Sequence, residues 1–140
     1  MAEEIKRDVG TAMKAGDRER AGALRLVLAE LQRDAKEGPG DEQAVLRRER
    51  KRRRDAEVAF RDAGRAELAA QEAAEGALIE TYLPSELSDV EVDALVRAAI
   101  ADTGAESVRD MGKAIKHAMA AADGRAAGSR VSARVKAALT

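Results

Sequence analysis

A run of basic side chains is the first feature of this sequence that could do chemistry. Residues 47–54, RRERKRRR, contain seven Arg or Lys in eight positions. Guanidinium and ammonium groups bind phosphate oxygens without reading a base sequence. Charge runs of this kind also form the solvated face of long helices. The run therefore has two interpretations, polyanion binding and a solvent-facing helix, and its charge alone does not decide between them.

On a helical projection at about 100° per residue, the cations of this run leave one sector free. A core stripe falls into that sector, made of Val45, Ala56, Phe60 and Ala63. Glu49 falls there too, where a charge needs a partner, and Arg53 one turn later is the expected one. Further pairs four residues apart should absorb part of the charge, namely Lys51–Asp55, Arg53–Glu57 and Glu57–Arg61.

A second group of cations lies near the end of the chain. The segment 124–128, GRAAG, is typical of a turn that leads into a last helix. Free N–H groups at that helix start, with Arg125 and Arg130 beside them, could hold a phosphate, and a plain turn is the alternative. The candidate phosphate contacts are Lys113, Lys116, Arg125, Arg130 and Arg134 here, and Arg47, Arg48, Lys51 and Arg54 in the first run.

Residues suited to catalysis or metal binding are scarce. His117 is the single histidine and there is no cysteine, so no set of imidazole and thiolate metal ligands can be assembled. The GRAAG segment lacks the Lys-Ser/Thr ending of a phosphate-binding loop, and no serine lies in a nucleophile-elbow context. The sequence predicts no catalytic residue, no metal site and no cofactor, and it predicts that His117 is a surface or boundary side chain.

The formal net charge of -1 hides an uneven distribution. Residues 46–65 carry nine basic and four acidic side chains, residues 66–103 carry one and nine, and residues 104–140 carry seven and three. The acidic block could pair with its basic neighbours inside the fold, or the basic blocks could face a polyanion. No apolar run approaches the roughly 20 residues of a membrane span, and the start of the sequence lacks a secretory signal, so we expect a cytoplasmic protein.

The elements that must position these residues are helices. Aromatic residues are nearly absent and proline occurs twice, which predicts an all-α fold without strands. We expect a hairpin, with Gly16 ending the first helix and Asp17 capping the second. After the Gly-Pro-Gly at 38–40, Asp41 should cap a third, basic helix that runs towards Ala63 and that Gly64 ends or kinks. A fourth helix should run from about 66 to 82.

We place a domain boundary at Pro84, giving an N-terminal helical domain, 1–84, and a small three-helix bundle, 85–140. Ser88 with Glu91 predicts a capping box for the first helix of the bundle, and Gly104 its end. Ser107 should cap the second helix and Ser129 should start the third. Their expected inward faces are Val108, Met111, Ile115, Met119 and Ala122, and then Val131, Val135 and Leu139.

Five short motifs occur in order along the chain: LR at 24–25, AGR at 63–65, YLP at 82–84, DMGK at 110–113 and GR at 124–125. In these motifs the chain resembles the GatB/YqeY family over essentially its whole length. Its C-terminal part is similar to the tail of the B subunit of the glutamine-dependent Asp-tRNA/Glu-tRNA amidotransferase. The resemblance implies two helical subdomains and RNA contact through the tail-like part. It carries over no active site, because the residues that bind glutamine, ammonia, ATP and Mg²⁺ have no counterpart here.

Three functions are compatible with these observations. The first is a non-catalytic accessory module that binds tRNA or another structured RNA. The second is a protein-interaction module, whose basic helix meets an acidic partner surface while the tail-like part docks on a larger translation-related enzyme. The third, which the family label implies and which we favour least, is a carbon–nitrogen ligase with glutamine as amido donor, and ammonia release from glutamine would reveal it.

Overall fold

A computed structural model describes residues 1–140 as two compact units, Met1–Pro84 and Ser85–Thr140, called unit 1 and unit 2 below. Every regular element is helical, which confirms the predicted all-α class. None of the helices combines the length and hydrophobicity that crossing a bilayer requires.

Unit 1 consists of four helices, α1 (Ala2–Lys14), α2 (Arg18–Glu37), α3 (Glu42–Asp62) and α4 (Ala66–Glu80). The packing pairs α1 with α2 and α3 with α4, and α2 joins the two pairs by contacting α3. Their shared core consists of Ile5, Leu24, Val27, Leu31, Val45, Leu46 and Ile79. The basic run therefore lies on α3, a helix that contributes buried residues on one side only.

The predicted turns and caps of unit 1 are confirmed. Gly16 has a φ of +76°, a conformation that glycine adopts at low cost after a helix end. The carboxylate of Asp17 accepts a hydrogen bond from the N–H of Arg20 at 3.1 Å, and that of Asp41 accepts one from Ala44 at 3.0 Å. Each cap satisfies a backbone donor that the helix leaves unpaired, which fixes where α2 and α3 begin.

Unit 2 consists of α5 (Asp89–Thr103), α6 (Met111–Ala122) and α7 (Gly128–Leu139), with a short 3₁₀ turn, Val108–Asp110, before α6. The predicted capping box is present, because the Ser88 hydroxyl accepts from the Glu91 N–H while the Glu91 carboxylate accepts from the Ser88 N–H, each at 3.2 Å. Gly104 ends α5 with a φ of +69°.

The prediction for the start of α6 is wrong. Ser107 makes no side-chain cap, because the 3₁₀ turn intervenes and delays α6 to Met111. Val108 consequently lies outside the core and is 44% exposed. The centre of the α6 interface is a row of fully buried alanines, Ala114, Ala118 and Ala122, and the predicted Met111, Ile115 and Met119 pack beside it half-buried.

The last helix also differs from its prediction at one point. α7 begins at Gly128 rather than Ser129, and its N-cap residue, Ala127, offers no side-chain acceptor. Val131 and Val135 are buried as predicted. The first turn of α7 thus has no polar side-chain cap and contains one buried valine, Val131.

Candidate nucleic-acid interface

The inner side of α3 carries a buried carboxylate. Glu49 is 2% exposed, and its oxygens lie 3.2 Å from Arg52 Nη1 and 3.6 Å from Arg53 Nη2. The predicted partner, Arg53, is thus confirmed. Two guanidinium groups offset the cost of removing this charge from water, since an unpaired buried carboxylate is strongly destabilising.

Arg53 continues from Glu49 to the neighbouring helix. Its Nε lies 3.3 Å from Glu75 and its Nη1 3.9 Å from Glu72, both on α4, and the predicted pair with Glu57 does not form. Burial and the nearby Glu72 raise the pKa of Glu75, while Arg53 opposes the rise. Arg53 therefore joins α3 to the acidic block of the sequence and is not offered to an outside ligand.

The helical projection is wrong about the position of Arg50. That projection placed it among the outward cations, but its side chain is 9% exposed. The stripe that α3 buries is consequently wider than the predicted sector, and it includes the aliphatic stem of an arginine.

The outer side of α3 holds the predicted contacts Arg47, Arg48, Lys51 and Arg54. Arg54 forms an ion pair with Glu80 of α4, and Lys51 Nζ lies 3.0 Å from Asp55 in the predicted pair. Arg47 donates to the neutral amide oxygen of Gln43 at 3.4 Å, and Arg48 is exposed and forms no ion pair. Of these four cations, Arg47 and Arg48 keep an uncompensated charge.

In unit 2 the two arginines of α7 are held by α5. Arg130 Nη2 lies 3.0 Å from Asp89, and Arg134 lies 2.9 Å from Asp93 and 3.3 Å from Asp89. The side chains of Arg130 and Arg134 are 32% and 39% exposed. The two ion-paired arginines thus cross-link α5 and α7 along their exposed edge.

Arg125 also has an intramolecular role. Its Nε donates to the carbonyl of Ser85 at 2.8 Å, and its own carbonyl accepts from the N–H of Leu87 at 2.8 Å. The turn around it is formed by Asp123 and Gly124, with φ of +48° and +77°. Arg125 therefore fastens the segment before α5 to the turn before α7.

The lysines of α6 are in a different situation. Lys113 and Lys116 are exposed and lie three residues apart on the helix, so their side chains are neighbours. Lys113 is 3.9 Å from Asp110, and Lys116 forms no ion pair. Asp110 is already engaged, because its carboxylate accepts from the backbone N–H of Glu106 at 2.9 Å, and this bond lowers its pKa.

Sequence reasoning missed one cation in this region. Arg109 is exposed, precedes Lys113 by four residues and forms no ion pair. Its four-residue spacing from Lys113 was the signal that could have found it. We call Lys113 and Lys116 of α6, together with Arg109 of the 3₁₀ turn before it, the α6 cation row.

The remaining candidate for chemistry, His117, is a surface residue as predicted, with its side chain 47% exposed. Its Nε2 lies 3.2 Å from an Asp102 oxygen, and both groups face solvent. No group of three or more His, Cys, Asp or Glu is arranged to hold a metal ion. His117 therefore has the surroundings of an ordinary surface side chain.

The chain matches the family model described as Yqey-like protein over residues 2–139. Because this match spans nearly the whole chain, the protein belongs to the YqeY-like family. No curated protein matches the chain.

Proposed function

We propose that this YqeY-like protein is a non-catalytic accessory module that contacts tRNA or another structured RNA through its phosphates. The observation that supports this most is the α6 cation row, in which three exposed cations have among them one ion pair, 3.9 Å long, with Asp110. Exposed lysine and arginine side chains bind phosphate with affinity but without base recognition.

The outer side of α3 is the second contact surface in this proposal, through Arg47, Arg48 and Lys51. The pair between Lys51 and Asp55 does not prevent such a contact, because both groups are more than two-thirds exposed. An exposed pair of this kind contributes at most about 1 kcal/mol. A phosphate can therefore replace the carboxylate at little cost.

The proposal gives a smaller role in RNA binding to four arginines, Arg54, Arg125, Arg130 and Arg134. Each already holds a carboxylate or a carbonyl of this chain. A phosphate would have to displace that partner and loosen the helix packing that the contact supports. We expect them to strengthen RNA binding only when they are released from those partners.

The expected binding is local and salt-dependent. Unit 1 carries 17 basic and 18 acidic side chains and unit 2 carries eight of each, so neither unit has an excess of positive charge. If the α6 cation row neutralises three phosphates, log K should fall with log salt with a slope of about -2.7 on a duplex. Affinity should be measurable at low salt and weak at physiological salt.

A gel shift of total tRNA at about 50 and about 200 mM salt tests the proposal. The test variant is Lys113→Gln/Lys116→Gln, and the matched control is Lys14→Gln/Lys36→Gln, which removes two exposed, unpaired lysines from unit 1. The wild type and the control should shift tRNA at low salt, and the test variant should shift it weakly. Absence of a shift at low salt, or equal binding by both variants, contradicts the proposal.

A protein-interaction role is the second candidate, and the charge balance of the two units favours it over a large polyanion footprint. In that role an acidic surface of a larger protein would meet Arg47, Arg48 and Lys51. A pull-down with the full chain, with and without nuclease treatment, separates the two roles. Partners lost on nuclease treatment support RNA contact, and partners retained by wild type but lost by Arg47→Gln/Arg48→Gln support the protein role.

A further inference from the structure

A groove runs between the N-terminal half of α2 and the length of α4, entirely within unit 1. Its volume is about 500 Å³. The side chains that line it come from both helices, and they are Asp17, Glu19, Arg20, Ala23, Glu67, Ala70, Gln71, Ala74, Glu75 and Leu78. The groove exists because α4 packs chiefly on α3 and only lightly on α2.

The floor of the groove is apolar, and most of its side chains are short. Ala23 and Leu78 are half-buried, and Ala70 and Ala74 are exposed to solvent. Small residues at such positions let another backbone come close, because no long side chain holds it off. The alanines therefore allow a second helix to lie close against α4.

The rim of the groove is acidic. It carries Asp17, Glu19, Glu67 and Glu75 against one cation, Arg20. Glu19 and Glu67 are exposed and form no ion pair within the chain, and α4 contains neither Lys nor Arg. Cationic side chains placed along this rim would meet two carboxylates without competing partners, Glu19 and Glu67, whereas Asp17 caps α2 and Glu75 is paired with Arg53.

Glu75 is the rim residue that has other carboxylates on both sides, Glu72 on its own helix and Glu19 on α2. Burial and then Glu72 raise the pKa of Glu75 most, Arg53 opposes that rise, and Glu19 adds the smallest contribution. Arg53 compensates Glu75 from the α3 side alone, at 3.3 Å. A cation entering from the groove side would remove the remaining repulsion.

We infer that this groove docks an amphipathic helix of a partner protein, one that carries Lys or Arg on both sides of a narrow stripe of small apolar residues. Charge complementarity selects this occupant, because the rim repels phosphates and the small floor admits a helix. The site is independent of the RNA contact, which uses cations on α3 and α6 and no groove residue.

The probe is a synthetic helical peptide of about 20 residues, long enough to follow the whole of α4. It presents an alanine stripe flanked by lysines, and a scrambled peptide of the same composition without that stripe is the control. Titration into the ¹⁵N-labelled full chain should shift the amides of Ala23, Ala70 and Ala74. The scrambled peptide should bind at least tenfold more weakly. Equal binding of both peptides, or shifts confined to other surfaces, overturns the inference.

Variants then test the rim and the floor separately. Glu19→Lys/Glu67→Lys reverses two unpaired rim charges, and Ala70→Trp fills the floor at an exposed position. Each should weaken peptide binding at least tenfold, whereas Glu37→Lys, an exposed unpaired acid away from the groove, should leave it unchanged. Unchanged binding by both groove variants overturns the inference.

Two further outcomes are informative. Lys113→Gln/Lys116→Gln should bind the peptide like wild type, so failure of the RNA proposal would leave this result intact. If the groove amides instead shift with protein concentration when no peptide is present, a second copy of the chain occupies the groove, and the inferred partner is wrong.

Discussion

Unit 2 contains two groups of cations that look alike in the sequence and differ in the structure. Arg130 and Arg134 of α7 are bound to Asp89 and Asp93 of α5, at 2.9–3.3 Å. Lys116 of α6 has no ion pair and Lys113 has a single one at 3.9 Å. The difference teaches that folding, rather than membership of a basic block, decides which cations keep no close carboxylate partner.

The same division recurs on α3 in unit 1. Arg53 is 20% exposed and reaches three carboxylates, whereas Arg48 is exposed and reaches none. In both units the acids that neutralise these arginines come from the acidic block at residues 66–103 or from the same helix. Charge that appears segregated along the chain is thus partly recombined by folding.

The largest expected effect is on the buried network of α3. Arg53→Ala leaves Glu72 and Glu75 without a cation and Glu49 with one partner, so it should lower the free energy of unfolding of unit 1 by about 3 kcal/mol. Arg48→Ala should change it by less than about 0.5 kcal/mol. Tyr82 is the single tyrosine and there is no tryptophan, so tyrosine fluorescence during urea unfolding reports on unit 1. Equal effects of the two substitutions would contradict the division of α3 into two sides.

A smaller effect is expected from the ion-paired arginines of unit 2. Arg130→Ala/Arg134→Ala should destabilise unit 2 by about 1 kcal/mol, because these pairs are partly exposed and solvent screens them. Lys113→Ala/Lys116→Ala should leave the stability within about 0.5 kcal/mol of wild type. Hydrogen exchange of the α5 and α7 amides measures the stability of unit 2 in both variants. A greater loss from the lysine variant would show that the α6 row is structural.

Releasing the arginines should increase RNA binding. Asp89→Asn/Asp93→Asn removes both carboxylates from the α5–α7 edge and leaves two free guanidinium groups there. We expect tRNA affinity to rise several-fold at low salt and the salt slope to steepen by up to about 1.8. Glu106→Gln/Asp123→Asn gives the same change of net charge elsewhere on unit 2 and is the control. If the test variant and the control bind tRNA equally, net charge alone sets the affinity. The distinction between ion-paired arginines and exposed lysines then fails.

The smallest effect concerns pH and the capping box. Hydrogen bonds from the backbone N–H and the hydroxyl of Ser88 lower the pKa of Glu91 from 4.5. A lowered pKa contributes stability above pH 4.5 that is lost as the pH falls through the folded-state value. Glu91→Gln should therefore weaken protection of the first-turn amides of α5 at neutral pH and match wild type at acidic pH. If the exchange rates of Glu91→Gln and wild type differ by the same factor at neutral and at acidic pH, the ionised Glu91 carboxylate is not the source of this stability.

Local features of this fold could be read from the sequence. The caps at Asp17, Asp41 and Ser88 involve residues within three positions of each other, so composition and spacing suffice to predict them. The pair of Glu49 with Arg53 was predictable for the same reason. The prediction that Ser107 caps α6 failed because the choice between an α-helical and a 3₁₀ start depends on how the segment packs.

Contacts between distant helices were beyond such reasoning. Asp89 and Arg130 are 41 positions apart, and nothing in either segment indicates the other. The groove between α2 and α4 was equally invisible, because it is defined by where two helices fail to pack. The sequence therefore located every cation of the candidate interface except Arg109, without indicating which of them remain unpaired.

The most direct test of the comparison is the salt dependence of tRNA affinity, measured for wild type, Lys113→Gln/Lys116→Gln and Arg130→Gln/Arg134→Gln. We predict that the lysine variant loses about 1.8 from the magnitude of the slope of log K against log salt. The arginine variant should keep the wild-type slope. A full slope in the lysine variant together with a reduced slope in the arginine variant would contradict the proposal that RNA meets the α6 cation row rather than the ion-paired arginines of α7.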